Sequence, residues 1–124
     1  LIRFLGLSVA ILAMTAPTLA QDDDFNLTYH VERTPSSKLT IEECGDVVTE
    51  TAQKAGLRSD IQDFPGQLVV VTGGVKGKGA FVVQCINVDN VTVSVVQGID
   101  YRQQKGVLGK FADKTFEALK AAIK

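Results

Sequence analysis

His30 is the only histidine in the 124-residue chain, and Glu32 follows two positions later. On an extended strand that spacing places both side chains on one side, so an imidazole–carboxylate pair can do acid–base work or begin a metal site. A metal site wants three or four ligands, and no second histidine, spare cysteine or methionine cluster stands ready to supply them. A surface histidine without chemistry is the simpler reading. No metal ligand set and no cofactor is expected.

The second candidate is basic. Lys76 and Lys78 sit in the glycine-rich stretch Gly73–Gly79, and Arg102 and Lys105 lie in the last loop. Together they are candidates for binding an anionic partner. The stretch lacks the phosphate-loop spacing, because no Ser or Thr follows either lysine and no helix begins there. The stretch reads as a turn between strands. There is no G-x-S-x-G elbow, and every serine would have to share His30 as its base.

Cys44 and Cys85 are the only cysteines. In an exported chain an even count reads as a disulfide, with two buried thiols as the alternative. Closing a loop of this length stabilises a fold by about 2–4 kcal/mol. Export is argued from the first twenty residues. Arg3 is followed by an apolar run from Phe4 to Ala13, and Thr18-Leu19-Ala20 is a small-residue cleavage region. Pro17 and the acidic Asp22-Asp23-Asp24 end the apolar run before it reaches a membrane span of about 20 residues. Residues 1–20 are therefore expected to be a signal peptide and 21–24 an acidic, disordered tail. Residues 25–124 form one domain without a membrane anchor, periplasmic or secreted.

Loss of Arg3 with the leader leaves twelve basic and fourteen acidic residues, a net charge of −2. That balance gives no electrostatic footprint for nucleic acid. The sequons at Asn26 and Asn90 match N-x-[ST], and in a bacterial protein they are coincidental.

The elements that must position these residues follow from periodicity. Phe25, Leu27, Tyr29 and Val31 alternate with Asn26, Thr28, His30 and Glu32, which predicts a half-buried strand with the apolar set inward. Thr40 and Glu43 form a capping box. Ile41, Cys44, Val48, Ala52 and Ala55 then recur at helical spacing until Gly56. Leu57–Gly66 reads as a polar connection. Leu68–Thr72, Ala80–Val88 and Val91–Gln97 are β-branched runs, and Gly106–Lys124 is an amphipathic helix. The order β-α-β-β-β-α predicts an α+β fold, an antiparallel sheet with two helices packed on one face.

Two registers are open at Asp89-Asn90. A two-residue turn pairs Val88 with Val91 and puts Cys85 on the side of Ser94. A three-residue loop Val88-Asp89-Asn90 instead aligns Phe81, Val83 and Cys85 with Val91, Val93 and Val95. The second is adopted because it gathers one apolar face. It leaves Thr92, Ser94, Gln84 and the polar side of the first strand on the open face.

The stretch Tyr29–Pro35, continuing into Leu39–Gly45, resembles small exported bacterial proteins of unknown function. The resemblance covers the first third of the domain and implies no activity and no site residues. Two functional readings remain. One is a non-catalytic periplasmic binding or accessory protein, with a protein or small-molecule partner in the export compartment. The other is a small hydrolytic or metal-assisted enzyme centred on His30 and Glu32.

Overall fold

The computed structural model describes residues 24–124. The expected leader and Gln21 to Asp23 of the acidic tail lie outside the described residues. The elements are β1 (Asn26–Pro35), α1 (Ile41–Lys54), β2 (Arg58–Phe64), β3 (Leu68–Val75), β4 (Gly79–Val88), β5 (Val91–Asp100) and α2 (Val107–Ala121). The fold is the expected α+β class: one antiparallel sheet, ordered β1-β5-β4-β3-β2, with both helices on one side. Among the described residues no helix is long and apolar enough to cross a membrane.

One strand more than expected is present, because Arg58–Phe64 is an edge strand and not a connection. It pairs with β3 from Arg58↔Gly74 to Phe64↔Leu68. Its own residues show no buried alternation, and Ile61, its one aliphatic side chain on the α1 side, stays 53% exposed. The β3–β4 turn is also shorter than the glycine count suggests. Gly73 and Gly74 belong to β3, and the chain reverses at Lys76–Gly77, where Lys78 N–H bonds the Val75 carbonyl.

α1 begins at the expected capping box: the Glu43 amide donates to Thr40 Oγ1, and the Thr40 amide to Glu43 Oε1. It ends where Gly56 turns to φ +74°, the Leu57 amide bonding Ala52 and the Gly56 amide Gln53. That paired arrangement satisfies the last free carbonyls. The apolar layer between helices and sheet holds Leu39, Ile41, Val48, Val69, Val71, Phe81, Val83, Val96, Leu108 and Leu119. Cys44 on α1 is bonded to Cys85 on β4, the central strand, with their Cα atoms 6.1 Å apart. α2 approaches β5 so closely that a Cβ on Gly98 would lie 2.2 Å from the Leu108 carbonyl oxygen.

The adopted β4–β5 register is overturned. Val88 faces Val91 and Cys85 faces Ser94 across a two-residue turn, with Asp89 at φ 50° and Asn90 at φ 64°. Both central residues are left-handed, as a type I′ turn requires, and Asn and Asp tolerate that region. The strand-one orientation is overturned with it. Val31 pairs with Val95 and Tyr29 with Gln97, so Leu27, Tyr29 and Val31 point away from the helices. Thr28, Thr34, Thr92 and Ser94 are instead buried beneath them.

Candidate functional site

His30 and Glu32 lie on the helix-covered side of β1, and His30 finds its partner on α2. Its Nε2 is 2.8 Å from Asp113 Oδ1, and the other carboxyl oxygen of Asp113 accepts from Lys105 Nζ at 2.7 Å. The imidazole stacks on Phe116 at 4.3 Å between centroids and 6° between planes, and Lys120 Nζ lies 4.5 Å from the centre of the same ring. Lys105 first, and His30 second, hold the Asp113 carboxyl below its usual range by hydrogen bonding. One carboxyl thus serves two neighbours, and the ring is fixed by stacking. The arrangement ties β1 to α2. Among the described residues no three His, Cys, Asp or Glu side chains are grouped to hold a metal ion.

The four basic candidates do not form one patch. Lys78 and Arg102 border an open depression of about 210 Å³ together with Asp100. Lys105 is drawn to Asp113, and Lys76 occupies the β3–β4 turn outside that lining. Asp100 itself is spent on structure. Buried at the end of β5, it accepts the amides of Gly106 at 2.8 Å, Leu108 at 3.0 Å and Gly109 at 2.9 Å. Gly106 offers no side chain to cap α2, so a carboxyl from the preceding strand supplies the acceptors. The pairing is local in space, yet no sequence motif announces it.

An open side of the sheet is expected from the sequence, but other residues than the expected ones fill it. Its cross-strand rows are Phe64–Leu68–Ile86–Val93–Arg33, Gln62–Val70–Gln84–Val95–Val31, Asp60–Thr72–Val82–Gln97–Tyr29 and Arg58–Gly74–Ala80–Ile99–Leu27. The three inner strands place no charged residue on this side. Arg33, Arg58 and Asp60 sit only on the edge strands β1 and β2. Tyr29 is 64% exposed and Leu27 46%. A signal was available: Leu68-Val69-Val70-Val71 and Ala80-Phe81-Val82-Val83 are unbroken apolar runs, the pattern of strands buried on both faces. The described residues cover only one face. Exposed contiguous apolar surface of this kind marks an interaction site.

A comparison with curated proteins found no match. A family model matches residues 24–124, all of the described residues, and by that match the chain belongs to a family of unknown function, DUF6180.

Proposed function

We propose that the protein is a non-catalytic binding or accessory module of the export compartment, and that its contact surface is the open side of the sheet. One observation carries this reading. Each of the five strands places apolar side chains on the side the helices leave bare, and the three inner strands place no charged one there. Leaving that surface in water costs roughly 25 cal/mol per Å² of apolar area relative to covering it, so a partner that covers it gains affinity without needing deep pockets. The disulfide supports the compartment, because such bonds persist where the surroundings are oxidising.

The alternative centred on His30 and Glu32 draws no support from the geometry. His30 turns to Asp113, its ring lies on Phe116, and Glu32 is not its partner.

Site-specific photo-cross-linking in the producing cell tests the proposal. A cross-linker at Val95, in the middle of the open side, should capture a partner, and one at Lys114 on α2 should not. Capture that is equal at both positions, or absent at Val95, would end it. His30→Ala should leave the Val95 product unchanged.

A further inference from the structure

We infer that the occupant of the open sheet side is a second copy of this chain, packed sheet against sheet about a two-fold axis that crosses β4; the inference rests on the reading of that side as a contact surface. The strand order makes β4 the middle strand, with two strands on either hand. A two-fold axis lying between the sheets, along or across the strands and through their centre, therefore brings β4 over β4. The patch then meets itself, as every isologous interface must.

Its size suits that arrangement. Five strands spaced by about 4.8 Å, each about 27 Å long on average, present roughly 650 Å² per copy, or about 1,300 Å² for a pair. Stable interfaces begin near 1,200 Å². Its shape suits it too, since two sheets of the same twist pack face to face at about −30° and 10 Å apart.

The chemistry is also self-complementary. Val70, Val82 and Val95 surround the centre, and Gln84 on β4 is the polar group nearest the axis. An amide offers both a donor and an acceptor, so Gln84 can pair with its own copy. The charged Arg33, Arg58 and Asp60 fall at the rim, where water still reaches them, which is the ordinary layout of an apolar centre and a polar edge. Three inner strands whose only polar groups on this side are the neutral Thr72, Gln84 and Gln97 present little to a strongly charged partner. They match an identical set.

The test is sedimentation equilibrium on protein expressed from its full sequence, in the micromolar range, with Val82→Lys and Gln84→Glu alongside. Gln84→Glu is isosteric and points away from the core, so it keeps the proposal open to refutation should Val82→Lys fail to fold. The expected result is a two-chain mass for the parent. Each folded variant should show dissociation at least about tenfold easier, as buried unpaired charge demands, with an unaltered circular dichroism spectrum. A dimer indifferent to both substitutions would overturn the inference, and so would a monomeric parent. In that last case a dye that fluoresces on apolar surface separates the two readings. Dye binding lost in Gln84→Glu leaves the contact-surface reading standing with a different partner, whereas no dye binding removes both.

Discussion

Cys85 lies directly across the β4–β5 ladder from Ser94, whose hydroxyl is 3.4 Å from the Cys44 sulfur to which Cys85 is bonded. This pairing settles the phase of the sheet. With Cys85 turned towards α1, Ser94 must turn there too, and Val93 and Val95 must turn away. One residue more in the Asp89-Asn90 turn would exchange those sets, because side chains alternate with period two.

The turn therefore carries the orientation of two strands, and its energetics can be read directly. Asn90 holds φ 64°. Asn90→Gly should raise stability by about 0.5 kcal/mol, glycine being the favoured second residue of such a turn. Asn90→Val should lower it by about 1–2 kcal/mol, a β-branched side chain being strained there. Thermal unfolding midpoints moving in opposite directions would bear this out, and two shifts of the same sign would refute it.

Asp100 accepts three amides at the start of α2. Asp100→Ala leaves three buried amides without acceptors and should cost about 2–4 kcal/mol. Asp100→Asn keeps one oxygen and sets an NH₂ against a donor, so its loss should be smaller but of the same sign. Urea unfolding of the two variants checks the order. An Asp100→Ala variant as stable as the parent would mean that α2 is held by its apolar face alone.

Acid should release the β1–α2 tie. The folded Asp113 carboxyl is held below its ordinary value of 3.8, by Lys105 and then His30. A carboxyl depressed in this way contributes stability above its unfolded value, and the contribution disappears as pH falls through the folded one. The stability difference between the parent and Asp113→Asn should therefore be full at neutral pH and should shrink below about pH 4. Urea midpoints for both proteins across that range measure it. A difference constant with pH would show the carboxyl to be uncoupled from folding. Glu43, lowered by Lys124 and the Thr40 amide, titrates in both proteins and cancels from the comparison.

Much of the architecture was legible in the residues. The capping box at Thr40–Glu43 and the stop at Gly56 follow from local patterns, the Cys44–Cys85 bond from the even cysteine count, and the two helices on one side from the order of elements. β2 was not legible, because an edge strand with no buried residue owes its structure to the hairpin with β3. The inward side of β1 was not legible either. Alternation separates Leu27, Tyr29 and Val31 from Thr28, His30 and Glu32 but says nothing about which set a helix will cover. Apolar content favoured the wrong one, since Leu27, Tyr29 and Val31 join cross-strand rows with Ile99, Gln97 and Val95 on the open side. The partner of His30 lies 83 residues away on α2, a contact that no local window contains.

The disulfide has a consequence for survival among proteases. The loop it closes runs from Cys44 to Cys85 and encloses β2, β3 and the turn bearing Lys76 and Lys78. A cut at either lysine leaves both fragments covalently joined, with α1 still bolted to the middle strand. A cut at Arg102 or Lys105 falls outside the loop and releases α2, the helix that shields Thr28, His30 and Gly98. Nicking inside the loop thus leaves one covalent unit, and nicking in the exposed loop between β5 and α2 leaves two.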